Sequence, residues 1–194
     1  MMLMLVVLGG IYMVWFGLQR TYGFTQDDTN AQTLARAAMG EMTTSIRTGQ
    51  TPVMTTNDDL RMVIPYADDH TLVVWMDLAH DPNHDLQLVR YRLNESNQTL
   101  YRDTNPNNDQ YRGDMTFAQA STMVESTSVI NNSANPLFTY WPANVAPLPL
   151  SSPVADPTKI GTVTIDLRVD INVNKAPAFH ELRSVVQPRN LRQY

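Results

Sequence analysis

No cysteine occurs in the chain, which excludes disulfide frameworks, thiolate zinc sites and cysteine nucleophiles together and leaves the redox compartment open. Charge is missing from the front: between Met1 and Gln19 there is none, and Arg20 is the first charged residue. No proline occurs before Pro52, so nothing of that kind interrupts a helix up to there. Basic clusters are lacking too. The 14 Lys and Arg residues are scattered among 19 Asp and Glu, for a net charge of -5, and a nucleic-acid surface needs concentrated positive charge. No G-x-S-x-G, P-loop, G-x-G-x-x-G or H-E-x-x-H motif is present, so no enzyme activity is expected.

What is there begins with the uncharged stretch. Residues 1–19 in helical form span roughly 28 Å, close to the roughly 30 Å hydrocarbon core of a bilayer. A cleavable signal peptide would need a basic front and a small-x-small cleavage site, whereas Met1-Met2-Leu3-Met4-Leu5 carries no Lys or Arg and Val14-Trp15-Phe16-Gly17-Leu18 is bulky. We therefore expect residues 1–20 to be the membrane-spanning half of a helix, through Leu3, Leu5, Val6, Leu8, Ile11, Val14, Phe16 and Leu18. The positive-inside rule does not orient it, because the N-terminal flank is empty.

Beyond Gln19 the sequence turns polar and keeps a helical period. Ala31, Leu34, Ala35, Ala38, Met39, Met42 and Ile46 fall on one face, with Gln32, Arg36, Glu41 and Arg47 largely away from it. Gly49 stands where a helix C-cap belongs. The spacing predicts one helix from the start to about Thr48, with 21–50 as its amphipathic half. Leu34, Ala38, Met42 and Ile46 are expected to pack on a sheet. The rival is a break at Gly23 or at Asp27-Asp28-Thr29-Asn30; Gly9-Gly10 is a second weak point, since glycine costs about 1 kcal/mol in a helix interior.

From Pro52 on the period is two, and residues 51–194 read as one β-rich domain. Thr162 to Val173 alternates apolar and polar throughout. Leu72–Leu78 and Leu86–Leu93 form a hairpin across the His80–Asp85 turn cluster, and Thr99–Asp103, Leu137–Trp141 and Phe179–Val186 are further strands. Asn105–Asp109 is turn chemistry, and Ala143–Pro157, with four prolines, is a surface excursion and a candidate contact surface.

No residue stands out as catalytic or cofactor-binding. His80 and His84 have the spacing of helical zinc ligands, but Pro82 between them prevents a helix. Asp81-x-Asn83-x-Asp85 opens like a calcium loop, yet Leu86 and Arg92 stand where glycine and the bidentate glutamate belong. Asp27-Asp28, Asp58-Asp59 and Asp68-Asp69 read as solvated pairs, His70 and His180 as isolated. Trp75, Phe138 and Trp141 read as core.

Several stretches carry a resemblance. Leu8-Gly9-Gly10-Ile11 resembles the L-G-I of the prepilin membrane helix. Ala35 to Arg47 resembles A-R-x-A-x-E-x-M-x-x-x-I/L-R. Leu88–Leu93 with Leu100-Tyr101-Arg102 resembles V-x-Y-x-L…L-Y-R, and Arg189-Asn190-Leu191 resembles a shared R-N-L ending. The chain thus resembles the minor pseudopilins of type II secretion and the minor pilins of type IV pili. The resemblance implies an α+β, pilin-like fold, a long helix on an antiparallel sheet. It implies a structural minor subunit without cofactor, in the cytoplasmic membrane with its C-terminal domain extracytoplasmic, then in a filament. Its partners would be membrane lipid before assembly, other pilin or pseudopilin subunits, and a prepilin peptidase. The family's processing glycine and following glutamate have no counterpart here, so Met1 is expected to be an internal methionine behind an encoded leader. The alternative is a single-pass anchor bearing an extracytoplasmic binding or sensory domain, which predicts a helix break near residues 23–30.

Overall fold

The computed structural model describes residues 2–51, 62–77, 86–105, 117, 120–144, 148–171 and 179–189. A single helix, α1 (Met2–Thr48), passes through Gly9-Gly10, Gly23 and Asp27-Asp28 without interruption. Its 47 residues extend about 70 Å at 1.5 Å per residue. The break expected under the rival reading is not there.

Among the described residues eight antiparallel strands follow in two sheets. β1 (Tyr66–Ala67), β2 (Thr71–Met76), β3 (Gln87–Asn94), β4 (Thr99–Thr104) and β5 (Ser121–Ser126) form a meander, each strand beside the last. β6 (Phe138–Pro142), β7 (Ile160–Val169) and β8 (His180–Val186) form the second sheet. The sheets meet where β6 begins: the Leu137 and Phe138 amides donate to Asp69 O at 3.0 and 3.1 Å, and the Tyr140 hydroxyl donates to Asp68 O at 2.9 Å. A bridge from Val129 to Val169 ties them again. At the far sides, β5 and β8 both pack against α1, so the helix lies between the two edge strands.

One apolar core joins helix and sheets. Ala35, Ala38, Met42 and Ile46 are fully buried against Leu72, Val74, Tyr91, Leu100, Ile165 and Leu167. The α+β class is as expected, a long helix packed on antiparallel sheet, but the strands divide into two sheets rather than one. Strand ends shift by a residue or two. The largest shift is in β7, which runs Ile160–Val169 and gives way at Asp170, whose amide turns to Ser128 O at 2.9 Å. Two strands carry no periodic signal in the sequence: β1 is two residues long, and β5 is an edge strand exposed from Ser121 to Val124. The excursion at 148–157 is only partly outward. Its Leu150 and Val154 amides donate to Tyr140 O and Ala67 O, and both side chains pack on the core.

Leu34 corrects the expected packing set. It is 44% exposed, because the buried line runs Ala31, Ala35, Ala38, Met42, Ile46, and Leu34 stands one residue, about 100° of helix, off Ala35. Ala38, Met42 and Ile46 are buried as expected. The His80–Asp85 turn with its histidines and calcium-like acids, Asp58-Asp59, residues 106–109 and Asn190-Leu191 lie outside the described residues.

Gly49 follows the last helical residue at a close approach. A Cβ there would stand 2.6 Å from Val63 Cγ1 and 3.0 Å from Val74 Cγ2, both on buried side chains with no room to retreat. Gly49→Ala is expected to lower stability by about 1–3 kcal/mol. Gly40→Ala, at an open helix-interior position, should raise it by about 0.5–1 kcal/mol. Urea unfolding of the two variants beside the parent checks both signs.

Candidate functional site

The front of α1 stands clear of the domain. Every described large apolar side chain from Met4 to Tyr22 is between 53% and 78% exposed, including Val6, Leu8, Ile11, Val14, Phe16 and Leu18. So long an uncovered apolar surface exceeds what a chain in water ordinarily leaves open. Among the described residues no helix is long and apolar enough to cross a membrane. The side chains of Met1, Met2, Leu3 and Leu5, four members of the uncharged stretch, lie outside them.

Where the helix turns polar its hydroxyls find partners on the helix itself. Thr21, Thr25, Thr29 and Thr33 donate to the carbonyls of Gly17, Thr21, Thr25 and Thr29, at 2.8 to 3.0 Å. Each hydroxyl is satisfied from within, so this stretch shows its methyl groups without stranding a donor.

Three polar links fasten the rear half to the sheets. First, Asp28 Oδ1 lies 3.1 Å from His180 Nε2 on β8, and Gln32 Nε2 donates to Asp28 Oδ2 at 3.0 Å and sits 2.9 Å from the same imidazole nitrogen. Second, Arg102 on β4 binds Glu41 of the helix through Nη1, while its Nε is 3.1 Å from Glu125 Oε1 on β5. Burial pushes the Glu125 carboxyl above its ordinary value, with Arg102 pulling down and Glu41 up. Third, the Ser45 and Tyr91 hydroxyls share a buried hydrogen bond of 2.6 Å. Burial pushes the Tyr91 hydroxyl up to about 12, the bond to Ser45 acting the other way.

The outer face of the larger sheet carries a second polar cluster. Asp103 is 1% exposed and accepts from Arg90 Nε and Nη2 at 2.8 and 2.6 Å, Arg92 Nε at 2.7 Å and Thr122 Oγ1 at 2.7 Å. Burial works to raise its pKa, but the Arg92, Thr122 and Arg90 donors outweigh that and hold it below the usual value. The two guanidiniums lie over Phe117 and Tyr101, at 4.2 and 4.5 Å from the ring centroids. A groove of about 290 Å³ beside Arg90 is lined by Tyr66, Thr71, Val73 and Phe117. The cluster satisfies itself, which is what a structural brace does.

Among the described residues no three of His, Cys, Asp and Glu converge as metal ligands would. Sequence reasoning placed Gln32 and Glu41 off the packing face and His180 alone; the structure gives all three partners across the helix–sheet boundary. A helix flanked by sheet on both sides touches it with more than one stripe, a signal periodicity of apolar residues does not carry. No protein-family model matches the chain, and no curated protein matches it.

Below pH 10 Tyr91 is neutral in both the folded and the unfolded chain. Between pH 10 and about 12 only the unfolded chain ionises it, so stability is lost as pH rises through that window, by about 1.4 kcal/mol per pH unit. Tyr91→Phe is expected to cost about 1 kcal/mol at neutral pH and to flatten the alkaline loss. Tyr140, buried and also raised, keeps part of it. Urea midpoints measured from pH 8 to 12 for parent and variant check the sign.

Proposed function

We propose that the chain is a structural subunit, of minor pilin or pseudopilin type, in a type IV pilus or type II secretion pseudopilus. One observation carries the reading: a single unbroken helix whose rear half is core to its own domain and whose front half, apolar all round, is left for something else. A helix hydrophobic on every side belongs in lipid or among other helices, and moving from one to the other costs little because both surroundings are apolar. The domain, with Asp28 bound to His180 at the helix exit, fixes the direction in which the rod leaves. The stretches resembling prepilin sequence fit a scaffold role.

The alternative, an anchor bearing an independent binding domain, loses support because the rod runs through residues 23–30 unbroken. It would also leave unexplained why the domain core is built on the same helix.

A charge placed in the middle of the front half separates these demands from domain stability. Ile11→Lys and Val14→Asp each add about 2.5–3.5 kcal/mol to membrane insertion at the helix centre. Both positions are more than half exposed, so unfolding of the domain should move by less than about 0.5 kcal/mol. The expected result is loss of the full chain from the membrane fraction and from any pelletable assembly, with the domain intact. Variants that partition and assemble like the parent would overturn the proposal.

A further inference from the structure

We propose that β5 takes an extended segment of another protein as an added antiparallel strand, one with lysine or arginine on its helix side and apolar residues on the other. Nothing in this depends on the filament reading above.

The first ground is an open edge. β5 ends the larger sheet and pairs with β4 on one side only. The Asn105 amide donates to Leu88 O at 3.2 Å, continuing the β3–β4 register, so Asp103 and Tyr101 also bond toward β3. Antiparallel ladders alternate. Arg102 and Thr104 therefore bond toward β5, where Met123 and Ser121 stand opposite them. Thr122 and Val124 are left with their N–H and C=O groups turned outward. Among the described residues no backbone bond meets them.

The second ground is that this edge is unguarded. Exposed edges are ordinarily blunted by charge, proline or a bulge. β8, the strand on the other flank of α1, carries exposed Glu181 and Arg183. Ser121-Thr122-Met123-Val124 has neither charge nor proline, and all four residues are exposed. Met123 and Val124 are 53% and 55% uncovered, on opposite faces of the sheet. The one charge of β5 stands at its end. Val124 pairs with Tyr101 and Ser126 with Leu100, so Glu125 is the extra residue of a bulge, and its carboxylate lies 3.1 Å from Arg102 Nε. The bulge ends the flat stretch after Val124 and does not interrupt it.

Charge chooses the occupant. On the helix side, beside Met123, Glu41 and Glu125 share the single guanidinium of Arg102, so one negative charge is unmatched, and Glu41 is 41% exposed. A basic side chain opposite Met123, on a strand about 4.8 Å beyond it, supplies the missing charge. On the other face Val124 stands beside Tyr101, and an apolar side chain opposite Val124 covers it. Backbone bonds then give the affinity and the alternating side chains the selectivity. A second copy of β5 suits the edge less. It would bring its own surplus carboxylate to the same side, and each chain carries a net charge of -5.

The probes are blocked, fluorescent peptides of strictly alternating valine and lysine, or valine and glutamate, titrated at neutral pH with the full-length chain in detergent micelles and read by anisotropy. The lysine peptide is expected to bind at least about tenfold more tightly, the equivalent of roughly 1.4 kcal/mol. Methylating its valine amides, which would donate to Thr122 and Val124, should cost a similar factor. Methylating its lysine amides, which face away, should not. Val124→Pro removes one outward N–H without a ladder bond and should weaken the peptide about tenfold at an unchanged urea midpoint. Glu41→Gln should narrow the preference for lysine. Equal binding of the two peptides, indifference to valine methylation, or full binding by a folded Val124→Pro chain would each overturn the proposal. So would a dimer of the parent chain that Val124→Pro abolishes, since the edge would then belong to a second copy. If Val124→Pro unfolds, the methylated peptides decide, because they leave the chain itself unchanged.

Discussion

Ala31, Ala35, Ala38, Met42 and Ile46 run in a line along one side of a helix, and two sheets close over that line. Three of the five are alanines, so the backbone of α1 comes close to the strands, and close approach lets side chains off the line reach partners as well. Glu41 meets Arg102 on one flank, and Asp28 with Gln32 meets His180 on the other. The core could not persist without the helix, since Leu72, Val74, Tyr91, Leu100, Ile165 and Leu167 all face into the space it fills. The rod is therefore held by its rear half, and the direction of its front half follows from that hold.

The two halves obey different solvation rules. In the rear, polar groups meet partners across the helix–sheet boundary: Ser45 and Tyr91 share a hydrogen bond, and Arg102 stands between two carboxylates. An uncompensated group among them would cost far more than the pair contributes. In the front there is little to satisfy. The threonines between residues 21 and 33 bond to their own helix, and the side chains before them are almost all apolar. The transition at Arg20–Asp28 is where the first charges appear, one carboxylate kept by the domain and one charge of each sign left outward.

Much of this was legible in the order of residues, and what was not has a physical explanation. The helix could be read to Thr48 because its apolar spacing and lack of proline persist there. β2, β3, β6, β7 and β8 could be read from alternation or apolar runs, and β4 from the Asn94–Asn97 turn that precedes it. β5 could not, since Ser121-Thr122-Met123-Val124-Glu125-Ser126 is a half-solvated edge whose pairing with β4 depends on backbone bonds and not on a hydrophobic face. Nor could the division into two sheets, which depends on contacts such as Leu137 to Asp69 and Val129 to Val169 that are remote in sequence. Leu34 illustrates the limit of a helical wheel: a residue can belong to the apolar arc and still miss the narrow line that the sheets cover. The exposed front was visible as a run of uncharged residues, whereas Asp28–His180 joins positions 152 residues apart and had no local mark.

The sharing of α1 between a core and a projecting rod also decides how the chain can be divided. A recombinant fragment that starts after Thr48, where the secondary structure alone would suggest a domain begins, would lack the strip that seals both sheets and would expose their inner faces. A cut ahead of Asp28 keeps that strip and the clasp to His180 while discarding the greasy extension. The natural seam of this molecule lies inside an unbroken helix, where a boundary drawn by element ends would never place it.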